Sequence, residues 1–445
     1  MRSKRVKKRF ERLQAIQDRI VVAVDPAKKK HQIMVFAPNR VPMGQPFKIF
    51  NEGRGFAHLL RRVNQYAQQV DHKGIIFAIE PSAHYWLALA YYLDKRSYQI
   101  LLVPGLVVKR AREIEDQTTS HTDPKDAYLI GNLVQDGKYS QANLPDGVYA
   151  ELRNSAGLWH YISGQRSAVK QKIHTLLDVY FPEYPDIFSD ILGATSRYLL
   201  RNYPFPEDWA EVNLVNLGLE LIRISRGQID QERAKTLKKL ATESVGISEG
   251  TNSARTQLKL LLEQVEMFDR QLYTIARELK SLLKQTGYDQ QLLSLPGVGI
   301  ISAALLLGEL GDFARYSHAE QIIKMAGLDL ILRESGSYIG QRRISKRGRS
   351  LLRKVLFQIA VRCVRLSNRM RKKYLQGLVN KKPKKKVIVS VIPLFVKIMF
   401  ACVKEQRLYQ KDEGYESQIA YLERVLAARK RDRKRNSRAL ETVLV

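Results

Sequence analysis

The sequence predicts an α/β domain with a mixed sheet over residues 20–146, a long-helix region over 147–285 and an all-α unit over 286–410. Three observations predict this. Short apolar runs alternate with helix-length segments from residue 20 to about 137. Beyond Asp146 the spacing changes, and between Leu258 and Leu282 apolar residues fall at 258, 261, 265, 268, 272, 275, 279 and 282, an unbroken 3-4 seam. From Ser335 to Lys404 the chain holds 20 Lys and Arg in 70 residues and neither Asp nor Glu, where its average would place about seven acids. Charge of one sign over a folded stretch points to a polyanion lying against it.

Taken in order, Ile-Val-Val-Ala-Val at 20–24 and Gln-Ile-Met-Val-Phe-Ala at 32–37 read as strands around a basic turn. A strand near 46–50, a helix at 54–70, a strand at 75–80, a helix at 84–94, a strand at 98–103 and a helical region to 137 follow. The order β-β-β-α-β-α-β-α is that of a mixed sheet. A weaker seam runs through Leu152, Trp159, Ile162, Val169, Ile173 and Leu176, broken by Ser155 and Arg166. The two seams predict a coiled-coil pair, within one chain or between two, with 180–254 as an inserted subdomain opened by Phe-Pro-Glu-Tyr-Pro. From Tyr288 a helical unit runs to 410, and residues 411–445 read as a C-terminal helix and basic tail. Residues 1–19 read as a basic extension. The most apolar run, 387–403, is interrupted by Pro393 and Lys397 and is expected to be a buried helix rather than a membrane span.

A net charge of +31 and a pI near 10.0 favour nucleic acid as the partner, because Lys and Arg displace counterions condensed on phosphates. A membrane surface is the rival, and no separate basic amphipathic anchor supports it. Cys363 and Cys402 have no metal-ligating neighbours, which argues against a zinc site or a disulfide framework and fits a reducing compartment. The basic first twenty residues are not followed by an apolar signal-peptide core, so a cytoplasmic, nucleoid-associated protein is expected.

Four carboxylates stand out. Asp25 ends the first predicted strand and Glu80 the fourth, and Asp123 and Asp126 share a face at a helix start. Strand ends and a helix start can converge on one acidic cluster, which is costly in a basic protein unless cations sit between the carboxylates. Two Mg²⁺ ions, with Mn²⁺ as an alternative, would bridge them and clamp a phosphodiester. Taken singly, Asp25-Pro26 is equally a turn, Asp123-Pro124 a helix cap and Glu80 a sheet-edge acid.

Further on, Leu-Pro296-Gly297-Val-Gly299 followed by an apolar run reads as a helix-hairpin-helix, whose glycines would let the backbone approach a phosphate. Then come Ala326-Gly327-Leu328-Asp329, Ser335-Gly336, Gly340 and Ile344-Ser345-Lys346-Arg347-Gly348. A serine hydroxyl needs activating surroundings to act as a nucleophile. Gly336 leaves that hydroxyl accessible, and Arg342, Arg343, Lys346, Arg347, Arg349 and Arg353 are placed to neutralise a phosphorane. The alternative is an ordinary loop serine.

The pieces Val-Val-Ala-Val-Asp25-Pro-Ala-Lys, Ile-Phe-Ala-Ile-Glu80-Pro-Ser-Ala-His-Tyr-Trp and Thr122-Asp123-Pro-Lys-Asp126-Ala resemble an RNase H-like, RuvC-type nuclease domain with a DEDD carboxylate set. Together with the Gly-Leu-Asp, Ser-Gly and Ile-Ser-Lys-Arg-Gly block, the chain resembles the insertion-sequence transposases of the IS110 type, kin of the Piv DNA invertases. The resemblance implies that Asp25, Glu80, Asp123 and Asp126 bind metal and that Ser335 is the nucleophile. It also implies a covalent phosphoserine–DNA intermediate, donor and target DNA as substrates, a structured bridge RNA as guide, and a dimer or tetramer whose active site is shared between chains. A junction-resolving nuclease that activates water with the same carboxylates is the second reading, and a non-catalytic nucleic-acid scaffold the third. Two positions depart from the family pattern: Leu330 stands where Pro is usual, and His121 where Lys is usual.

Overall fold

The computed structural model describes residues 2–115, 123–188, 190–225, 227, 231–331, 334–335, 338–339 and 343–443. The chain divides into two compact units, Met1–Leu144 and Pro145–Val445.

The first unit runs α1 (Arg2–Ile16), β1 (Ile20–Asp25), β2 (Lys30–Phe36), β3 (Phe47–Phe50), α2 (Gly53–Ala67), β4 (Ile75–Ile79), α3 (Leu87–Asp94), β5 (Gln99–Leu102), α4 (Gly105–Glu115), α5 (Asp123–Gln135) and β6 (Ser140–Gln141). The six strands form one sheet in the order β3-β2-β1-β4-β5-β6. β1 is antiparallel to β2 and parallel to β4, so the sheet is mixed. Strand side chains alternate between faces, and the core divides accordingly. Ile20, Val22 and Val24 pack with Phe56, Leu59 and Val63 of α2 and with Leu89 and Leu93 of α3. Val21 and Ala23 pack with Ile76 and Ala78 of β4, Val108 of α4, and Ile130 and Val134 of α5. Each fully buried side chain of this kind contributes about 1.5–3 kcal/mol. α5 lies so close to the sheet that a Cβ at Gly131 would fall 2.1 Å from the Phe36 ring.

Three details of this unit add to what was expected. The basic extension is a helix tied to the unit, with the Tyr139 hydroxyl donating to the Arg12 carbonyl at 2.7 Å and Ile16 buried. The helical region after residue 103 is two helices, α4 and α5. The two-residue strand β6 closes the sheet edge.

The second unit continues with α6 (Gly147–Tyr180), α7 (Ala194–Asn202), α8 (Leu214–Ser225), α9 (Gln231–Thr242), α10 (Thr251–Gln285), α11 (Asp289–Ser294), α12 (Ile300–Leu310) and α13 (Ala319–Met325). Next come four two-residue strands, β7 (Leu330–Ile331), β8 (Glu334–Ser335), β9 (Tyr338–Ile339) and β10 (Arg343–Ile344). The unit ends with α14 (Ser350–Leu366), α15 (Asn368–Val379), α16 (Lys384–Lys404) and α17 (Glu416–Val443).

α6 and α10 pack antiparallel within the chain. Ser155 donates to Glu278 at 2.7 Å, and Arg166 reaches Asp269 at 2.6 Å. The apolar seam of α10 serves two cores. Leu258, Leu261 and Val265 join the subdomain of α7–α9 around Tyr184, Phe205 and Trp209, while Ile275 and Leu279 join α12, α14 and α16. The same heptad spacing therefore packs a subdomain at one end and a helical body at the other.

The C-terminal region is helical but not all-α. Residues 330–344 lack an apolar helical stripe, and the described ones among them pair as short strands instead. Among the described residues, α16 is the one helix long and apolar enough to cross a membrane. Its Val391, Phe395, Met399 and Cys402 stripe is fully buried in the protein core.

Candidate active site

Asp25 is the last residue of β1, and Glu80 follows directly on β4. These strands are parallel neighbours in the register Val24↔Ile79, and the Glu80 N–H donates to the Val24 carbonyl at 3.4 Å. The two acids therefore end adjacent strands side by side. Alternation along β1 places Asp25 on the face of Val21 and Ala23, and along β4 it places Glu80 on the face of Ile76 and Ala78. This is the face that α5 covers. Asp126 stands one turn before Ile130, on the stripe of α5 that meets β1. Asp123 opens α5 three residues earlier, and only its backbone is described.

Arg112 of α4 neutralises this corner. Its Nε and Nη2 both donate to Asp126 Oδ1, at 2.9 and 2.5 Å, and the two side chains are only 13% and 16% exposed. Glu80 is half-buried, and burial pushes its carboxyl above the usual range. The Ser82 hydroxyl, donating to Oε1 at 3.0 Å, pulls it back, Asp126 raises it further and Arg112 opposes that. Gly105 leaves the space the carboxylate needs, since a Cβ there would fall 2.5 Å from Glu80 Oε1. The turn after Asp25 is fixed from below: the Ala27 N–H donates at 3.2 Å to Nδ1 of fully buried His31. Arg112, Ser82, Gly105 and His31 carry no local motif, and only the assembled sheet brings them to the acids.

The donor chemistry fits a hard divalent cation, because Asp25, Glu80 and Asp126 offer oxygen alone. Among the described residues no three His, Cys, Asp or Glu side chains stand close enough to form a metal cage. At Asp126 the Arg112 guanidinium supplies the positive charge.

In the second unit the serine block is a nested ladder. β7 pairs with β10 through Leu330↔Ile344 and Ile331↔Arg343, and β8 pairs with β9 through Glu334↔Ile339 and Ser335↔Tyr338. Ser335 is thus in the innermost described pair, with its backbone alone described. Gly336, Gly340, Arg342, His121 and Thr122 lie outside the described residues. Leu330 is exposed and takes part in the β7–β10 ladder.

The base of this excursion is closed by backbone. The Ser345 N–H donates to the Asp329 carbonyl at 2.8 Å, Lys346 N–H to Gly327 at 2.9 Å and Arg349 N–H to Met325 at 2.8 Å. The Ser345 hydroxyl adds a bond to Asp329 Oδ1 at 2.5 Å. Contact is tight enough that a Cβ on Gly348 would fall 2.3 Å from the Met325 carbonyl, and one on Gly327 2.8 Å from the Lys346 carbonyl carbon. Gly327 also has φ +65°, which a side chain would strain.

The expected phosphate-facing cations separate into two groups. Arg343, Lys346 and Arg347 are exposed. Arg349 instead donates to the Glu309 carbonyl at 2.6 Å, and Arg353 to the Ala326 carbonyl at 2.9 Å. These two tie α14 to the ends of α12 and α13, where helix carbonyls lack intrahelical partners. The hairpin glycines also differ. Gly297, at φ +77°, presses on α14, where a Cβ would meet Arg362 Cβ at 2.8 Å. Its close backbone approach is to its own chain, and the Cys363 thiol donates to the adjacent Pro296 carbonyl at 2.8 Å. Gly299 is open, and its N–H is held by the Ser302 hydroxyl at 2.9 Å.

Comparison with known proteins agrees with this layout. A model of the DEDD domain of IS110 transposases, described as "Transposase", matches residues 22–182. A second, described as "Transposase IS116/IS110/IS902 family", matches residues 289–375. An insertion element IS110 protein of Streptomyces coelicolor is 21% identical over 315 residues, 70% of this chain and 77% of its own length. An insertion element IS116 protein of Streptomyces clavuligerus is 20% identical over 397 residues, 88% and 96% of the two chains. The transposase for insertion sequence element IS1328 of Yersinia enterocolitica is 38% identical over 90 residues, 20% of this chain and 27% of its own. The chain belongs to the IS116/IS110/IS902 transposase family, with a DEDD domain of the IS110 type followed by the family's C-terminal transposase domain.

Proposed function

We propose that this transposase cuts and rejoins DNA through a phosphoserine intermediate at Ser335, with divalent cations held by Asp25, Glu80, Asp123 and Asp126. The observation that carries the reading is the side-by-side ending of β1 and β4 in Asp25 and Glu80 beneath the Asp126 face of α5. A DEDD domain implies divalent-metal use, and Mg²⁺ is the ion proposed, two per site, with Mn²⁺ as the alternative. Such ions supply charge neutralisation at the scissile phosphate.

In the proposed step the Ser335 oxygen bonds to phosphorus as the bond to one deoxyribose oxygen breaks. The serine proton ends on the departing hydroxyl. A hydroxyl of the partner strand then attacks the same phosphorus and releases serine, which regains a proton. One ester replaces another at each stage, so no external energy source is needed. A bridge RNA choosing donor and target accords with a protein rich in phosphate-seeking charge.

The test is to trap the protein on nicked DNA that cannot religate. A covalent adduct lost in Ser335→Ala is expected. Free 5′-phosphate ends made equally by Ser335→Ala would instead establish the water-activating nuclease. Mixing Asp25→Asn with Ser335→Ala chains tests sharing of the site in an oligomer, since recovery of activity requires each to supply what the other lacks.

A further inference from the structure

The hairpin of α15 and α16 carries cations that the serine chemistry does not use. Over residues 368–404 there is no Asp or Glu. Lys381, Lys382, Lys384, Lys385 and Lys386 are all exposed at the turn, and among the described residues none makes an ion pair. At the far end of the hairpin lies a cavity of about 470 Å³, lined by Arg369 of α15, Leu394, Lys397 and Ala401 of α16, and Arg407 and Lys411 beyond it.

The two ends are joined by helix geometry. On α16, Lys386, Ser390, Leu394, Lys397 and Ala401 recur at three- and four-residue intervals and form one stripe. On α15, Arg369, Lys373 and Gly377 form a second stripe; Lys373 lies near Lys397 of α16, and Gly377 sits against Val387, the residue after Lys386, where a Cβ would fall 2.5 Å away. The seam therefore runs from the lysine turn to the cavity. α15 has 12 residues, so it is about 18 Å long at 1.5 Å per residue. In a duplex lying along it, where each strand carries a phosphate about every 3.4 Å of helix axis, that length spans about five phosphates of one strand.

Carboxylates near the seam are largely committed. Asp412, which lines the cavity, accepts from the Ser367 hydroxyl at 2.7 Å and the Tyr409 hydroxyl at 2.6 Å. Glu320 engages Lys397 at 3.0 Å, and Glu405 engages Arg407 at 2.5 Å. Arg369, Lys373 and Lys411 make no ion pair among the described residues. Burial holds Lys373 below the usual lysine range, with Arg369 and Lys397 close by adding repulsion that a bound anion would offset.

We infer that the α15–α16 seam is a phosphodiester track, binding one nucleic-acid strand from the lysine turn to the cavity, separate from the serine block. It rests on the transposase reading only in supposing that nucleic acid is present. The occupying strand is DNA or RNA with the same backbone chemistry, and anionic membrane is the competing surface.

The test uses the full chain with labelled duplex DNA, single-stranded DNA and RNA, and vesicles containing anionic lipid. Lys382, Lys384, Lys385 and Lys386 are replaced by Gln together, leaving Lys381 because of its φ of +54°. The control removes four exposed charges elsewhere, at Arg223, Lys235, Arg270 and Lys280. Expected is a fall of at least about 2 in the salt-dependence slope for the track variant, with at least tenfold weaker binding at physiological salt, and little change in the control. The probe that loses most identifies the strand. Equal losses in track variant and control, no loss in either, or loss of vesicle binding alone would overturn the inference.

A second variant, Lys373→Met, is expected to raise Tm while weakening nucleic-acid binding; unchanged binding with lowered Tm marks a structural lysine and counts against the track. If Asp25→Asn recombines normally, the proposed chemistry fails while the comparison of track variant and control still stands.

Discussion

The carboxylate corner and the serine excursion use charge in opposite ways. In the first unit, like charges are gathered at the ends of two buried parallel strands, and among the described residues Arg112 offsets them at Asp126. Hydrophobic burial of the sheet forces the acids together against their repulsion. In the second unit, backbone bonds close the excursion, and two of its arginines serve as mortar between helix ends. Basic composition there divides between architecture and exposed surface. A charge motif read from sequence thus cannot be assigned as a whole; each side chain is settled by what it reaches.

The largest effect expected is at the acids. Asp25→Asn or Glu80→Gln should lower strand transfer by at least about 10³-fold, about 4 kcal/mol of barrier, with Tm little changed. A small loss of transfer would show the corner to be structural. Next, Gly348→Ala should destabilise the second unit by about 2–4 kcal/mol, read by denaturant unfolding, because the Met325 carbonyl and the Gly327 amide leave no room.

The two kinds of arginine can then be separated. Arg349→Ala should cost about 1 kcal/mol of stability through the lost bond to the Glu309 carbonyl, which keeps the Arg153 guanidinium at 3.2 Å. Arg347→Ala should leave stability unchanged and lower the salt slope of DNA binding by about 0.9 if it meets a phosphate. Identical behaviour of the two would dissolve the distinction. The smallest effect concerns Glu309, whose carboxyl burial raises above the ordinary value of 4.5, opposed by Arg153. Protonation favours the folded form, so this contribution to stability is full below pH 4.5 and is lost as pH rises through the raised value. Glu309→Gln should flatten that dependence and slightly stabilise the chain at neutral pH.

Much of the sheet was legible because its longer strands carry apolar runs, at 20–24 in β1 and 33–36 in β2. The short pairs were not, since Ser140–Gln141 or Glu334–Ser335 carries no periodicity in two residues. α1 was read as an extension because its basic run hides the few side chains, such as Ile16, that anchor it. The α10 seam was legible as a helix, but spacing alone does not reveal that its halves serve different cores. At the site, Asp25 and Glu80 were found as strand ends. Arg112 was not, because its reach to Asp126 spans 14 residues and joins two different helices. The inward course of Arg349 and Arg353 depends on carbonyls of α12 and α13, which no local motif encodes.

The two cysteines give the molecule an experimental convenience. Cys363 and Cys402 are fully buried, and burial pushes the Cys363 thiol up to about 12 and raises Cys402 as well. Thiolate is the reactive form, so the native fold masks both sulfurs from alkylation at neutral pH. A cysteine introduced at exposed Lys384 would therefore be labelled selectively, giving a fluorophore beside the α15–α16 seam without removing either native thiol. Slow modification of Cys363, which holds the Pro296 carbonyl, would meanwhile time the opening of the interior.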